Sequence, residues 1–388
     1  MFVELHIIQN FAPSCLNRDD TNAPKDCEFG GYRRARISSQ CIKRAIRRYF
    51  AEHVQELGLQ GQLATRTKLL HEQLVKRATA AGKPADEAAV LVKAAMEGAG
   101  LKMDAEKTSV LLFFGEKQVD AVAKALLGCW SALAAAAKTA AESPAAADAE
   151  GRPKKSAKKQ KDEKKSQMPD EVSNAFEQLK QGPHAADIAL FGRMVAELED
   201  MGVDAACQVA HAISTNQMDM EMDFYTAVDD LQRKSETGAG MMGIVEFNSS
   251  CFYRYSLLDT TQLLKNLDGD KTLAKAAALA FVKASIYAIP TGKQNSMAAQ
   301  NLPVYIRAVV KDGAPAVSLT NAFLSPARPK GEKDMALVSI EALEAHDKAL
   351  VRMYGSPGVK LDAASSVYPG HGEETVDGLL GKLGGILC

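Results

Sequence analysis

The sequence of 388 residues lacks long apolar runs, a leader-like start and paired cysteine motifs. No stretch of 18 apolar residues occurs, so we expect no membrane-spanning helix. Residues 1–10 contain no basic segment followed by a long apolar one, which argues against a secretory signal. The seven cysteines are widely separated and never form a C-x-x-C pair. We therefore expect free thiols and a cytoplasmic protein without membrane contact.

The chain also has almost no net charge, because 47 Lys and Arg residues are matched by 48 Asp and Glu residues. This balance excludes a protein that is basic overall, but it does not exclude local basic faces. Hydrophobic residues make up 46% of the sequence, which is enough for a large core. The length allows two or three compact regions.

Motifs for nucleotides and zinc are incomplete. Residues 238–243 spell G-x-G-x-x-G, but a polar segment precedes them and a strand-like segment follows, so we read a flexible turn. Lys293 follows a glycine as in a phosphate-binding loop, yet Gln294 replaces the required Ser or Thr. Neither H-E-x-x-H nor paired Cys and His ligands occur. We therefore expect no metal and no cofactor.

Hydrophobic periodicity predicts an α+β fold. Residues 2–10 alternate as a half-buried strand does, and Ser38 precedes helical spacing over 39–52. Residues 11–37, rich in Pro, Gly, Asn and Asp, are predicted to be a loop. Further strands are predicted at 209–213, 244–257, 304–310 and 317–320, and further helices at 263–289 and 335–352. Together with a helical region from about 60 to 205, this order predicts a βαββαβ sheet with a helical insertion.

The helical region contains a low-complexity stretch rich in Ala and Lys at 131–167. Within it, residues 152–165 carry eight basic and two acidic residues and almost nothing apolar. Such a segment cannot bury enough surface to order itself, so we read a solvated tether. Contact with a nucleic-acid backbone is the alternative.

The strongest local signal is residues 33–48, which contain seven basic residues and no acidic one. In the predicted helix the basic positions are Lys43, Arg44, Arg47 and Arg48, in two pairs four residues apart. The positions expected to be buried are Ile42, Ala45, Ile46 and Tyr49. Ser38, Ser39 and the free N–H groups of the helix start offer further anion donors. A polyanion backbone is the indicated partner, and a merely solvated helix is the alternative.

Six short segments occur in an order that points to one family. They are SCLNRDD (14–20), FGG (29–31), RISSQ (36–40), KR (43–44), AHAI (210–213) and YTAVDDL (225–231). They resemble the backbone subunit of the type I-E CRISPR surveillance complex, Cascade. The resemblance covers about residues 1–55 and 185–310.

The resemblance implies a modified ferredoxin-like, RNA-recognition-motif fold shaped like a hand. The palm would comprise 1–58 and 206–388, the helical fingers 59–205, and a protruding β-hairpin, the thumb, 214–243. Copies of such a subunit polymerise along CRISPR RNA in a helical filament, beside other Cascade subunits. They present the guide for pairing with a target DNA strand in antiviral defence, and they are not catalytic.

Carried over residue by residue, the resemblance implies two sets of contacts. Positions expected at the RNA backbone are Arg18, Lys25, Gln40, Lys43, Arg44 and Arg47. Ser38 and Lys293, named above as possible anion-binding positions, are added to this set. Positions expected to touch or displace bases are Met194, Phe224, Tyr225, Thr226 and Met242, with Tyr225 opposite Met242. The family often has Trp at position 224 and Leu at 242, and both replacements keep a bulky apolar group. Because the stretch 131–167 departs from the family, none of its lysines is carried over.

The same residues allow other interpretations. Lys293 also suits a surface turn, and Met194, Phe224 and Tyr225 suit an ordinary core. Related backbone subunits of other CRISPR types cleave RNA with one Asp in the loop after the first strand, where this chain has Asp19, Asp20 and Asp26. Ion pairing with the neighbouring Arg18 and Lys25 is the structural alternative for these acids. A DNA-binding regulator would need a helix-turn-helix, for which no convincing pattern occurs.

Overall fold

A computed structural model describes residues 1–142, 168–181, 184–194, 201–227, 230 and 241–387. They fall into two compact units, one of residues 1–58, 206–263 and 274–388, the other of residues 59–205 and 264–273. The lysine-rich segment 152–165 and the predicted turn at 238–240 lie outside the described residues, so their interpretations stay predictions.

Within the described ranges, runs of strands and runs of helices follow one another along the chain. The elements are β1 (Phe2–Ser14), β2 (Asp26–Phe29), β3 (Tyr32–Ile37), α1 (Ser39–Glu52), β4 (Ala64–Thr67), α2 (Leu70–Ala80), α3 (Ala85–Gly98), β5 (Met103–Asp104), β6 (Lys107–Thr108), β7 (Leu112–Gly115), α4 (Glu116–Gly128), α5 (Trp130–Glu142), α6 (Asp170–Gln181), α7 (Ala186–Phe191), β8 (Cys207–Val209), β9 (Ala212–Ser214), β10 (Glu221–Ala227), β11 (Met241–Asp259), α8 (Thr260–Asn266), α9 (Lys271–Tyr287), α10 (Gln294–Met297), β12 (Tyr305–Lys311), α11 (Met335–Tyr354), β13 (Val359–Ser366) and α12 (Val376–Ile386). The fold is α+β, as predicted.

The first unit is built on an antiparallel sheet in which β1 is central. The strand order is β13-β12-β1-β11-β9-β3-β2, and β8 and β10 also pair with β11. Ile8 of β1 pairs with Tyr253 on one side and Tyr305 on the other. The prediction of a half-buried first strand is wrong, since Glu4 and His6 are as buried as the apolar residues on either side of them. Covering both faces of β1 therefore places ionisable groups inside the molecule.

The prediction of a loop over residues 11–37 is also wrong in part. β1 continues to Ser14, and β2 and β3 form a hairpin. Gly30 and Gly31 turn the hairpin with φ of 63° and 80°, the left-handed region that a tight two-residue turn requires. A Cβ at Gly30 would lie 2.0 Å from the carbonyl oxygen of Leu324. The turn thus packs directly on the backbone of a distant segment, which periodicity cannot reveal.

Arg34 on β3 is completely buried, although it belongs to the basic run of 33–48. Its guanidinium donates to the carbonyl oxygens of Ser214 at 3.0 Å, Thr215 at 2.7 Å and Phe323 at 2.6 Å. Burial lowers the pKa of Arg34. One of the seven charges read as surface charge is therefore internal, where it joins β3 to two other segments.

Helix α1 begins and ends as predicted. The Ser38 hydroxyl accepts a hydrogen bond from the Cys41 N–H at 3.3 Å, which is the N-cap expected from the sequence. Of the four predicted core positions three are buried, and Tyr49 is only half-buried while Phe50 is fully buried. The basic positions consequently face away from the core.

The C-terminal third differs from prediction at three places. The single helix expected at 263–289 is two helices, α8 and α9, separated by Asp268 and Gly269 with φ of 53° and 81°. The strand expected at 317–320 is absent, and Thr320–Phe323 forms a 3₁₀ turn. The prediction found no element beyond 355, yet β13 pairs with β12 and α12 follows.

The second unit is mainly helical, with small β-pairs between β4 and β7 and between β5 and β6. Its core includes Leu74, Leu91, Phe114, Val122, Trp130 and Phe176. Among the described residues no single helix is long and apolar enough to cross a membrane, while the bent pair formed by α4 and residues 130–137 meets the length and composition requirement together. The six described cysteines are free thiols, as predicted.

The two glycines of the β2–β3 turn give a matched test of the packing. Gly31→Ala should lower the free energy of unfolding by about 1–2 kcal/mol, since only left-handed backbone strain is added. Gly30→Ala should cost about 1–3 kcal/mol more, because its Cβ would also collide with Leu324. Urea unfolding followed by circular dichroism measures both. Equal losses would contradict the close contact.

Candidate nucleic-acid interface

The loop between β1 and β2 is folded back on itself by its own side chains. One carboxylate oxygen of Asp19 accepts from the N–H of Thr21 at 2.9 Å and of Ala23 at 3.0 Å, and from the Thr21 hydroxyl at 2.8 Å. Arg18 donates to the Asn22 side chain at 3.2 Å. The loop therefore holds Arg18 exposed on an ordered turn.

Asn17 joins this loop to the start of α1. Its carbonyl oxygen accepts from the Lys25 N–H at 2.9 Å, and its side-chain oxygen accepts from the Ser38 N–H at 2.8 Å. Burial raises the pKa of the Cys41 thiol, and the charges of Arg44 and Lys25 act in the opposite direction. The charges of Lys25 in the loop and of Arg44 in the helix therefore both act on the Cys41 thiol.

Lys293 reaches the same loop from a distant part of the chain. A Cβ at Gly292 would lie 2.3 Å from the carbonyl oxygen of Leu16 and 2.6 Å from that of Cys15, so only glycine allows the approach. Lys293 itself has φ of 51°. Burial raises the pKa of Cys15, and the charges of Arg18 and Lys293 oppose this shift. The turn thus brings Lys293 to the loop that carries Arg18, and both charges act on the Cys15 thiol.

His211 occupies the start of α1, a role that the sequence analysis missed. Its Nδ1 accepts from the Ser39 N–H at 3.2 Å and lies 3.4 Å from the Arg36 guanidinium. Burial, then the charges of Arg36 and Lys25, lower the pKa of His211. Because Ser39 donates to His211 and Cys41 to Ser38, these two N–H groups are not free anion donors. The segment AHAI (210–213) includes His211, but its sequence does not indicate this contact with α1.

The cations of this region differ in whether an acid neutralises them. Arg33 pairs with Asp26, and Arg48 pairs with Glu52 at 3.2 Å. In the described part of the chain, no ion pair is formed by five other residues, which we call the α1 basic cluster: Arg18, Lys25, Lys43, Arg44 and Lys293. Arg18 and Arg44 are exposed and the other three are half-buried. An external anion is the partner that this surface lacks.

The remaining positions predicted to contact the RNA backbone lie on α1 or at its N-cap. Gln40 is exposed in its first turn, and Arg47 is half-buried one turn after Lys43. Ser38 is buried, and its hydroxyl oxygen is already used as the cap. Gln40 and Arg47 therefore extend the surface of the cluster, whereas Ser38 serves chiefly to start the helix.

The predicted thumb positions lie on the antiparallel pair β10–β11. Phe224 is opposite Ile244, Tyr225 is opposite Gly243, and Thr226 is opposite Met242. Opposite residues share a face and adjacent residues do not, so Phe224 and Met242 are on one face and Tyr225 is on the other. The prediction that Tyr225 lies opposite Met242 is wrong by one residue.

Tyr225 lies flat against the strand beside it. A Cβ at Gly243 would come within 2.5 Å of the Tyr225 ring and its hydroxyl, so the ring covers the glycine. The other face carries Phe224 and Met242 with 62% and 67% of their surface exposed. They are not core residues, and the hairpin therefore has one flat aromatic face and one projecting apolar face.

Met194, the remaining predicted contact, lies in the second unit and is 93% exposed. The neighbouring Arg193 is buried and donates to the carbonyl oxygens of Met201 at 2.8 Å and Phe113 at 3.1 Å. A Cβ at Gly192 would lie 2.7 Å from the carbonyl oxygen of Val203. These contacts hold the backbone on which Met194 is displayed.

The candidate catalytic acids of the first loop follow the predicted pairing only in part: the charge of Lys25 helps to lower the pKa of Asp19, but Asp26 has another partner. Asp26 pairs with Arg33, not with Arg18 or Lys25. A hydrogen bond from the Thr21 hydroxyl is the largest cause of the lowered pKa of Asp19. Asp20 is exposed. Among the described residues, no three His, Cys, Asp or Glu side chains are grouped as metal ligands would be.

Comparisons with known proteins identify the family. The model of the CT1975-like proteins matches residues 3–377. The chain belongs to the CT1975-like protein family. This family member is similar to a chain in a solved structure described as "CRISPR RNA-guided surveillance complex, pre-nicking", with 28% identity, a TM-score of 0.81 and full coverage of both chains. A chain of a second structure, described as "CRISPR RNA-guided surveillance complex", shares the fold at 23% identity and a TM-score of 0.71, again with full coverage. No curated protein matches the chain.

The environment of His211 predicts a pH effect. Its folded pKa lies below the ordinary value of 6.5, so the unfolded chain takes up the proton first. Its contribution to stability is therefore present above pH 6.5 and is lost as pH falls toward the folded pKa. Arg36→Ala should raise the pKa of His211 in an NMR titration without fully restoring it, because burial remains. Arg33→Ala is the control, and an unchanged pKa in Arg36→Ala would contradict the assignment.

Proposed function

We propose that this CT1975-like protein is the non-catalytic backbone subunit of a type I-E Cascade surveillance complex. It binds CRISPR RNA, polymerises along it with copies of itself and other Cascade subunits, and presents it to target DNA. The similarity to a surveillance-complex chain over the full length supports this assignment. The sequence segments quoted above for the type I-E backbone subunit support its narrower form.

The α1 basic cluster is the observation that carries the proposal. Its five cations form no ion pair in the described part of the chain, and they lie on a loop and on the helix and glycine turn that contact this loop. Lone basic side chains on a surface are ordinary, but these are assembled from three separate segments while nearby Arg33 and Arg48 are neutralised. The phosphates of an RNA backbone supply the negative charges that such a cluster can neutralise.

The hand-like division follows from the same proposal. The first unit would be an RNA-recognition-motif-like palm, the second the fingers, and the β10–β11 pair the thumb. The mainly antiparallel sheet of the first unit and the helices of the second are compatible with these roles.

A non-catalytic role is favoured by the contacts of the loop acids. Asp19 accepts three hydrogen bonds inside its own turn and Asp26 pairs with Arg33. A residue that orients a 2′-hydroxyl or a metal ion must keep its carboxylate available. We therefore assign Asp19 and Asp26 to the shape of the loop, whereas Asp20 is exposed and keeps its carboxylate accessible.

Salt dependence tests the cluster directly. The logarithm of the RNA association constant should fall with the logarithm of salt concentration by about 0.7 per phosphate contact. Arg44→Ala should reduce this slope by about 0.7, because it removes one contact. Fluorescence anisotropy with short RNAs of unrelated sequence measures the slope and should show little sequence preference.

Arg48→Ala is the matched control, since Arg48 lies one turn away on the same helix and already pairs with Glu52. Its slope should equal that of the parent protein. Equal slopes in the parent protein, Arg44→Ala and Arg48→Ala would contradict the binding of RNA phosphates by the α1 basic cluster. Regularly spaced cleavage of a complementary RNA by the assembled complex, lost in Asp26→Ala, would overturn the non-catalytic role in favour of the ribonuclease alternative.

The two faces of the hairpin can be tested separately. Tyr225→Ala and Met242→Ala should each leave guide binding largely intact, because the phosphate contacts lie elsewhere. Each should weaken assembly or target-DNA capture if its face replaces lost base stacking, worth about 1–3 kcal/mol per base. Chemical probing of the guide should show regularly spaced reactive bases that become blurred in the variant whose face is used.

Val367→Ala serves as the control, since Val367 is an exposed apolar residue outside the hairpin. Normal capture and unchanged periodic reactivity in both hairpin variants would show that the thumb assignment is wrong.

A further inference from the structure

The segment between α9 and β12 is held at both ends by one buried polar network. The Arg254 guanidinium donates to the carbonyl oxygen of Ser285 in α9 at 2.7 Å and to the side-chain oxygen of Gln9 at 2.6 Å. The Gln9 amide in turn donates to the carbonyl oxygen of Asn301 at 2.6 Å. Arg254 and Gln9 are both buried. Both ends of residues 286–300 are therefore fixed, but this network does not reach the glycine turn in the middle.

The backbone of this turn is strained at two positions. Lys293 and Ala298, which flank the four-residue helix α10, have φ of 51° and 47°. They are two of only five non-glycine residues with positive φ in the described ranges. The left-handed conformation is unfavourable for residues with a Cβ, so it persists only where other contacts impose it. A helix of one turn forms too few backbone hydrogen bonds to impose it alone.

The side chain of Gln294 joins the two ends of this turn. Its amide nitrogen donates to the carbonyl oxygen of Pro290 at 3.0 Å and to that of Ala299 at 3.1 Å. Both partners are acceptors, and an amide oxygen in that place would face two other oxygens, so the partners determine the orientation of the amide. One side chain therefore connects the residues that lie before and after the two left-handed positions.

Gln294 itself offers no group to a ligand, because its oxygen is buried and its nitrogen is used in the two hydrogen bonds. Its effect is therefore on the adjacent Lys293, which Gly292 brings to the loop that carries Arg18. We propose that Gln294 is a positioning residue, which holds Lys293 in the left-handed conformation that directs its ammonium group to an RNA phosphate. This inference rests on the proposed binding of RNA by the α1 basic cluster.

Gln294→Met tests the assignment, because methionine has a similar length and no hydrogen-bond donor. In fluorescence anisotropy titrations with short RNAs, its salt-dependence slope should be smaller than that of the parent by about 0.7, as in Lys293→Ala, because one phosphate contact is lost. A variant that is merely less stable has less active protein but an unchanged slope. Gln300→Met, the same change at an exposed position of this segment, is the control and should keep the parent slope. A parent slope in Gln294→Met would overturn the inference.

A double variant tests whether Gln294 acts through Lys293. If it does, Gln294→Met combined with Lys293→Ala should have the same slope and the same association constant as Lys293→Ala alone, because the residue to be positioned is already absent. Additive losses in the double variant would show that Gln294 affects RNA binding by another route, and they would contradict the positioning role.

Limited trypsin digestion of the RNA-free protein tests the turn without RNA. Cleavage after Lys293, followed by mass spectrometry, should be about tenfold faster in Gln294→Met than in the parent or Gln300→Met, since two hydrogen bonds that oppose local opening are lost. Equal cleavage rates would overturn the inference. Arg44→Ala separates it from the proposed function: a parent slope in Arg44→Ala counts against the function, whereas a reduced slope there with a parent slope in Gln294→Met counts against the inference alone.

Discussion

The buried guanidinium of Arg34 ties β3 to two other segments of the first unit. Arg34 keeps its charge inside the protein only because carbonyl oxygens from two separate segments converge on it. If any of these segments moved, an uncompensated buried charge would remain, at a cost of several kcal/mol. Arg34 thereby fixes the β2–β3 hairpin against β9 and the 3₁₀ turn, and the hairpin leads directly into α1.

The basic surface depends on this framework. Ser38 can start α1 correctly only where Asn17 and His211 also reach the first turn. Gly292 then brings Lys293 to the same loop through a contact that no side chain would permit. The charges are thus assembled by packing of neutral groups, which hold like charges near one another against their mutual repulsion.

Features that depend on contacts between residues close in sequence could be predicted correctly from the sequence. The N-cap at Ser38, the length of α1 and three of its four predicted buried positions follow from contacts within four residues, and the structure has them. Burial of Arg34 and Glu4, the place of Lys293 and the role of His211 follow from contacts between distant segments, for which periodicity holds no information. The error at Tyr225 has a different origin: a register shift of one residue reverses the face of every side chain, and strand patterns do not fix register in a hairpin exposed on both faces.

Strand β11 runs from the exposed hairpin to the centre of the sheet as one element of 19 residues, about 60 Å at the usual rise per residue. Its first part pairs with β10 and its last part with β1. A hinge between the hairpin and the sheet would have to interrupt this continuous strand. The β10–β11 pair and the central sheet therefore share one strand, so a displacement of this pair acts on the strand that aligns β1.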